Sequence, residues 1–173
     1  MRCIVSLTAL LTLVACADTP APPPPPPASG AWVNPFDWVV ADPSNDPFTA
    51  ERPEDTPCDS SAHGPEALGG VWVYSIETEA CPWITLSQPT ALPARVGDHV
   101  QVAIWHFELI APEPATGHVR FATDQGVLIT TDVPIPSPGA LLILDHTLEI
   151  DIPEGTELTF HLDNHGANSW HLV

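Results

Sequence analysis

Positively charged residues are almost missing from this sequence. Its 173 residues contain 22 acidic side chains, no lysine and only four arginines, Arg2, Arg52, Arg95 and Arg120. Nucleic acids and anionic membrane surfaces bind proteins through clusters of lysine and arginine, so this balance excludes both as expected partners. We interpret the acidity as a solvated surface that keeps an exposed protein soluble, with cation binding as the alternative.

Sulfur ligands and catalytic signatures are also missing. Met1 is the only methionine and no cysteine lies near the C-terminal histidines, which excludes a blue-copper centre built from His, Cys and an axial Met. The sequence has no GxSxG nucleophile elbow, and it identifies no acid that would orient Ser169 and His171. A non-catalytic protein is therefore favoured over an enzyme.

The N-terminus carries an export signal. Arg2 is followed by an apolar run of about a dozen residues, too short to span a bilayer as a stable helix. The run ends in Leu13-Val14-Ala15-Cys16, which resembles the lipobox of bacterial lipoproteins. This resemblance implies that Cys16 is acylated and becomes the first residue of the mature chain, and it favours the outer membrane. An ordinary signal peptide that contains a cysteine is the alternative.

Export determines how the remaining cysteines are interpreted. Once Cys3 is removed with the signal and Cys16 carries lipid, Cys58 and Cys81 are the only pair left. An oxidising compartment and the absence of a CxxC motif predict a disulfide between them, with a redox or metal role as the alternative.

The sequence predicts four segments. Residues 1–15 are the lipoprotein signal peptide, and residues 16–30 are the lipid anchor and a polyproline linker of about 25 Å. Residues 31–69 are rich in Pro, Asp, Ser and Gly and are predicted to be irregular and acidic. Their large apolar side chains indicate that part of this segment docks on the domain, with a partner-binding peptide as the alternative. Residues 70–173 are the folded domain.

Short apolar runs divided by turn residues fill the folded domain. They read GVWVYSIE, CPWITLSQ, DHVQVAIWHFELI, HVRFAT, VLITTDVPI, ALLILDHTLEIDI, ELTFHLD and SWHLV, and none shows a helical stripe. Runs of this length and spacing predict an all-β antiparallel sandwich of jelly-roll or immunoglobulin-like type.

Residues 157–173 are predicted to form a hairpin with a three-residue loop, Asn164-His165-Gly166. Gly166 would supply the left-handed conformation that such loops need. This register pairs Phe160 with Trp170 on the inward face. Four side chains would share the opposite face: Thr159, His161, Ser169 and His171.

The C-terminal half resembles carbohydrate-binding modules and galactose-binding-like jelly rolls. The resemblance rests on the order of a strand after Gly97-Asp98, a strand with paired aromatics, a VPIP bend, a long strand, PEGTELTF, the Asn164-His165-Gly166 turn and a last strand with Trp170. It implies a jelly roll that binds a glycan, with calcium as a further ligand of that family. The family's sugar-binding and calcium-binding loops have no counterpart in this sequence that can be assigned residue by residue.

Histidines suggest a second kind of site. His106 and Glu108 point to one side of their predicted strand, and His118 and His161 lie on the polar sides of two others. If these strands are neighbours, the four side chains converge on one patch and provide ligands for zinc or copper. The alternative is that each histidine is hydrogen-bonded separately on a half-exposed face.

Tryptophans allow two interpretations. Trp72, Trp83, Trp105 and Trp170 are expected in the core, with a sugar-stacking surface as the alternative. We therefore predict a cell-envelope lipoprotein with a non-catalytic binding module for a glycan or a protein partner. The alternative is a metal-binding or metal-dependent envelope protein that uses the histidine and glutamate cluster.

Overall fold

The computed structural model describes residues 30–173, which fold into two antiparallel five-stranded sheets packed face to face. The predicted all-β antiparallel sandwich is therefore confirmed. The predicted signal peptide, Cys16 and the prolines of the linker lie outside the described residues. Within residues 30–173, no helix is long and apolar enough to cross a membrane.

Ten strands and one 3-10 helix (Thr49–Glu51) make up this part of the chain. The strands are β1 (Val39–Val40), β2 (His63–Leu68), β3 (Val71–Glu77), β4 (Trp83–Pro89), β5 (His99–His106), β6 (Ala115–Thr123), β7 (Gly126–Ile135), β8 (Ala140–Thr147), β9 (Glu157–Asn164) and β10 (Ser169–Leu172). The first sheet has the order β1-β4-β9-β6-β7, and the second has the order β2-β3-β10-β5-β8.

Alternating side chains of the two sheets fill a common core. The first sheet contributes Leu86 and Phe160, and the second contributes Ile76, Ile104 and Trp170, all almost completely buried. Because side chains alternate along a strand, the residues between these positions point to the outer face of each sheet.

The predicted hairpin of residues 157–173 is wrong, because its two strands lie in different sheets. β9 lies between β4 and β6, whereas β10 lies between β3 and β5. Phe160 and Trp170 both face the core as predicted, but they reach it from opposite sides. Thr159 and His161 consequently lie on one outer face of the molecule, and Ser169 and His171 lie on the other.

Gly166 is required by close packing and does not take the predicted left-handed conformation. A Cβ atom at this position would lie 2.7 Å from the Ile110 carbonyl oxygen and 3.0 Å from Ile135 Cγ2. Within the connection from β9 to β10, the residue with a positive φ is Asn168, at 123°. The connection between the sheets therefore depends on a small residue at 166 and on an asparagine that tolerates this backbone conformation.

The sandwich begins before the predicted boundary at residue 70. β1 pairs with β4 at the edge of the first sheet, and β2 pairs with β3 at the edge of the second. The predicted disulfide between Cys58 and Cys81 is confirmed. It joins the connection between β1 and β2 to the turn between β3 and β4.

Residues 42–56, here called the covering segment, lie over the outer face of the first sheet. Phe48 is 4% exposed and packs on Trp83 and Ala122. Glu51 accepts a hydrogen bond of 2.8 Å from Arg120 on β6. The covering segment thus buries the part of this face around Trp83 and Ala122.

Candidate functional site

The outer face of the second sheet carries a cluster of three rings, here called the aromatic platform: Trp105, Phe107 and His171. The Trp105 ring centroid lies 4.6 Å from that of Phe107 and 5.2 Å from that of His171, and Phe107 meets His171 edge-on at 5.4 Å. Phe107 is 41% exposed and Trp105 is half-buried, whereas His171 is only 2% exposed. The platform therefore offers aromatic surface to solvent beside a buried imidazole.

Strand alternation places these rings together. Ile104 and His106 are fully buried on the core side of β5, so Trp105 between them points outward. Trp105 pairs with His171 across the β5–β10 register, and Phe107 follows directly after β5. The two aromatic residues are two positions apart, which is the spacing that brings side chains to one face of an extended chain.

A polar row borders the platform on its β3 side. The Ser75 hydroxyl donates a hydrogen bond of 2.6 Å to Glu66 Oε2, and the Ser169 hydroxyl donates one of 2.6 Å to Glu77 Oε1. Ser75 Oγ also lies 2.8 Å from His171 Nδ1. These bonds hold two carboxylates in fixed positions near the rings.

The same bonds determine the tautomer of His171. The single Ser75 hydroxyl proton points to Glu66, so the Ser75 oxygen accepts a hydrogen bond from His171 Nδ1–H. His171 Nε2 is then unprotonated, and it has no hydrogen-bond partner among residues 30–173. Burial lowers the pKa of His171 below its usual value, opposed by the carboxylates of Glu66 and Glu77. His171 is therefore neutral at pH 7.

An apolar border follows the other side of the platform, along the edge strand β8. Leu141 pairs with Trp105 in the β5–β8 register and is 59% exposed, and Ile143 is 47% exposed. On the same face, Gln101 Nε2 donates a hydrogen bond of 3.0 Å to Asp145 Oδ1. Aromatic and aliphatic surface thus lies between hydrogen-bonding side chains.

The charge around the platform is negative. Glu66, Glu77 and Asp145 contribute carboxylates. The three arginines in the described part of the chain lie on other elements: Arg52 follows the 3-10 helix, Arg95 precedes β5 and Arg120 lies on β6. This surface suits an uncharged partner better than an anionic one.

The four predicted metal ligands are not brought together. His106 lies on the core side of the second sheet and Glu108 follows the end of β5, whereas His118 and His161 lie on the outer face of the first sheet. Residues 30–173 contain no group of three or more His, Cys, Asp or Glu side chains that could hold a metal ion. The predicted convergence is wrong because β5 and β6 belong to different sheets.

Two of these histidines have local hydrogen-bond partners of their own. His106 Nδ1 donates to the Phe107 carbonyl oxygen at 2.8 Å, and the ring packs against Trp170 with centroids 4.8 Å apart. His118 Nδ1 lies 2.8 Å from Asp132 Oδ1 on the neighbouring strand β7. His118 matches the alternative in which each histidine is hydrogen-bonded separately on a half-exposed face. His106 does not, because it is fully buried and its Nε2 has no hydrogen-bond partner within residues 30–173.

His161 lies in an aromatic cage beneath the covering segment. Phe48 stacks on its ring at 4.4 Å, Trp83 meets it edge-on at 4.4 Å, and its Nδ1 is 2.9 Å from Thr85 Oγ1. Its side chain is 1% exposed, and burial lowers its pKa to about 4. His161 is therefore a neutral packing residue that no ligand can reach while the covering segment is in place.

Asn164 and Trp170, predicted as turn and site residues, lie inside the sandwich. Asn164 Nδ2 donates hydrogen bonds of 2.7 Å to Thr78 Oγ1 and to the Gly166 carbonyl oxygen. Trp170 is 1% exposed. Together with Gly166, these residues fix the crossing from the first sheet to the second.

The four tryptophans divide between the two interpretations. Trp83 and Trp170 are buried as expected, whereas Trp72 is 53% exposed and contacts Phe36 at 4.7 Å. Only Trp105 of these four lies in the platform.

Sequence reasoning missed Phe107, Ser75 and the two carboxylates Glu66 and Glu77. The spacing of Trp105 and Phe107 was a usable signal, because two aromatic residues at i and i+2 share a face of a strand. Glu66 gave none, since it lies in a part of the chain that was predicted to be irregular.

Comparisons with known proteins give weak similarities. No family model and no curated protein matches the chain. A solved structure described as CBM4 is 14% identical, with 80% of this chain and 84% of that chain covered and a TM-score of 0.44. TmCBM61 in complex with beta-1,4-galactotriose is 14% identical, with 83% and 94% covered and a TM-score of 0.43.

A third solved structure is the non-crystalline cellulose specific carbohydrate-binding module CBM28. It is 9% identical, with 84% of this chain and 94% of that chain covered and a TM-score of 0.45. At these identities and TM-scores, the ligands of the three proteins are not transferred to this chain.

Proposed function

We propose that this protein is a non-catalytic glycan-binding module held at the bacterial cell envelope by an acylated Cys16. The aromatic platform would bind the glycan. The observation that carries this proposal is the contact between the half-buried Trp105 ring and the exposed Phe107 ring, on a sheet face where Ser75 and Ser169 hold two carboxylates by hydrogen bonds.

Sugar chemistry fits the two kinds of surface on this face. A pyranose ring has an apolar side of C–H groups, which packs on an aromatic ring, and hydroxyl groups around its edge, which donate to carboxylates and exchange hydrogen bonds with amides. Trp105 and Phe107 supply the stacking surface. Glu66, Glu77 and Gln101 supply hydrogen-bond partners around it.

The sign of the charge narrows the class of glycan. Three carboxylates line this face and the arginines of residues 30–173 lie elsewhere, so an acidic polysaccharide would be repelled. A neutral glycan is therefore the proposed ligand, and its binding is expected to depend little on salt because no ion pair is formed.

Titration calorimetry of the full chain with soluble neutral oligosaccharides, chosen from a glycan array, tests the proposal. Trp105→Ala should weaken binding by about 2 kcal/mol, roughly thirtyfold, because the main stacking surface is lost. Trp72→Ala is the matched control, because Trp72 is exposed but lies outside the platform. Equal losses in the two variants, or no neutral glycan bound above background, would exclude this function.

The anchor needs its own test. Cells that express the full chain should incorporate labelled palmitate into it and retain it in the membrane fraction, whereas Cys16→Ala should abolish both the label and the membrane association. Membrane association without label would contradict the proposed acylation.

A further inference from the structure

An apolar cavity of about 370 Å³ lies between the two sheets, away from the aromatic platform. The first sheet contributes apolar side chains from β6, β7 and β9, and the second sheet contributes Val102 and Leu172. Residues 30–38, here called the N-terminal strap, cross the open side of the cavity. Its main apolar lining is Trp32, Trp38, Val102, Phe121, Leu128 and Leu158.

The strap is fixed to the sandwich at several points. The Ala91 N–H donates to the Trp32 carbonyl oxygen at 2.9 Å, and Asn34 N–H donates to Gln88 Oε1 at 2.9 Å. Phe36 of the strap contacts Trp72 on the second sheet, and Trp38 approaches Phe160 on the first. The strap therefore forms a wall of the cavity, although its tryptophans leave the interior unfilled.

The cavity, which opens to solvent on one side, is large enough to hold a small ligand. Close-packed protein interiors contain few voids larger than a water molecule, and an engineered apolar cavity of about 150 Å³ in another protein already binds benzene. At about 30 Å³ for each water-sized group, a volume of 370 Å³ accommodates roughly a dozen such groups. A linear alkyl chain of about twelve carbons has this volume.

The mouth of the cavity is polar. Its lining includes the half-buried Asp98 and the exposed His99, and no arginine of residues 30–173 is part of it. His146 stands on the inward side of β8, in the same row as Leu142 and Leu144, and its half-buried imidazole lines the cavity. These groups can form hydrogen bonds with a hydroxyl or carbonyl head group, whereas Asp98 disfavours a carboxylate.

We propose that this cavity binds a neutral single-chain amphiphile, with the alkyl tail between the sheets and an uncharged hydroxyl or carbonyl head group at the mouth. This site is separate from the aromatic platform, and neither proposal depends on the other.

Binding of 1-dodecanol to the full chain carrying Cys16→Ser tests the proposal, because this substitution removes the chain's own acyl groups as competitors. Native mass spectrometry should show one dodecanol per chain. A brominated analogue of the tail should quench tryptophan fluorescence, since Trp32 and Trp38 line the cavity. Dodecanoate should bind more weakly than dodecanol because of Asp98.

Cavity-filling variants provide the control. Val102→Phe places a ring in the cavity and should weaken dodecanol binding on the order of tenfold or more, because the methylene groups that it displaces lose their burial. Leu128→Phe is a second filling variant, so the test survives if one of them fails to fold. Val127→Phe makes a similar change at a site 54% exposed on the edge strand β7 and should bind as the parent does.

Trp105→Ala should also leave dodecanol binding unchanged, since Trp105 belongs to the platform. Three results would overturn the proposal: no dodecanol bound by the parent chain, equal losses in Val102→Phe and Val127→Phe, or tighter binding of dodecanoate than of dodecanol.

Discussion

Each outer face of the sandwich carries a buried histidine that is hydrogen-bonded to a hydroxyl group and packed against aromatic rings, but the two faces differ in how far those rings are covered. On the first sheet, His161 bonds through Nδ1 to the hydroxyl of Thr85 and packs between Phe48 and Trp83. On the second sheet, His171 Nδ1 bonds to the hydroxyl of Ser75. The His171 ring packs against the rings of Trp105 and Phe107.

What differs is the origin of the rings. The covering segment brings Phe48 from a distant part of the chain and leaves it 4% exposed, so that face is closed. Trp105 and Phe107 come from the sheet's own neighbouring strand, and no segment of residues 30–173 covers them to the same extent: Phe107 keeps 41% of its surface exposed. An outer face built in this way has stacking surface to offer a partner. This difference supports a packing role for the first face and is the reason that glycan binding is proposed for the second.

Removing the ring that closes the first face should have the largest effect on stability. Phe48→Ala is expected to lower the free energy of unfolding by about 3–5 kcal/mol, because it leaves a cavity over His161 and Trp83. Urea denaturation measures this loss. Phe36→Ala, at a site 54% exposed, is the control and should cost less than about 1 kcal/mol. Similar losses for the two variants would contradict the closed first face.

Acid should have the second-largest effect, because it lowers the free energy of unfolding through the buried His161 of the first face. The pKa of His161 is about 4 in the folded chain and near 6.5 in the unfolded chain. As the pH falls, the unfolded chain therefore takes up a proton on His161 at a higher pH than the folded chain does. The stabilisation is complete above pH 6.5 and is lost as the pH falls towards 4, up to about 3 kcal/mol in total. Asp46 and Glu51 oppose this effect of burial, and Arg120 and His118 add to it.

Urea denaturation at pH 7 and pH 4.5 checks this dependence. His161→Phe should remove the His161 part of the difference and leave the part that comes from His63 and His171, whose pKa values burial also lowers. An unchanged difference between the two pH values in His161→Phe would disprove the role of this histidine.

The smallest expected loss of stability comes from removing the hydroxyl partner of either buried histidine, and the same pair of variants tests whether only the second face binds a glycan. Thr85→Ala and Ser75→Ala each remove the hydroxyl partner of a buried histidine and should each cost about 1–2 kcal/mol of stability. Only Ser75→Ala should also weaken glycan binding, because it releases Glu66 as well as His171. Calorimetry on both variants would refute the assignment of the faces if their affinities fell equally.

Local patterns predicted the class of fold correctly but not the partners of each strand. The inward positions of Phe160 and Trp170 follow from alternation, and alternation is satisfied equally well by one sheet or by two facing sheets. The choice between these is made by pairing over long distances, such as Trp170 with Ile76 and with His106. The residue types in a turn do not predict which distant strands will pair.

The candidate site shows the same limit. The sequence predicted Trp105 in the core and offered stacking only as the alternative, because an aromatic residue in an apolar run fits both positions. Glu66 joins the site because β2 pairs with β3, and nothing in the composition around it indicates a strand. The metal hypothesis failed for the same reason, since the outward side of a strand can be read from sequence but its sheet cannot.

The positions of β9 and β10 have a consequence for how the molecule is made. These strands follow the other eight strands of residues 30–173 in sequence, yet each occupies the middle of its sheet, with neighbours on both sides. During synthesis from the N-terminus, the earlier strands therefore lack their central partners until residues 157–172 are released. Assembly of this sandwich must therefore wait until β9 and β10 have been synthesised, which keeps the growing chain open for longer than a fold in which each new hairpin completes its own sheet.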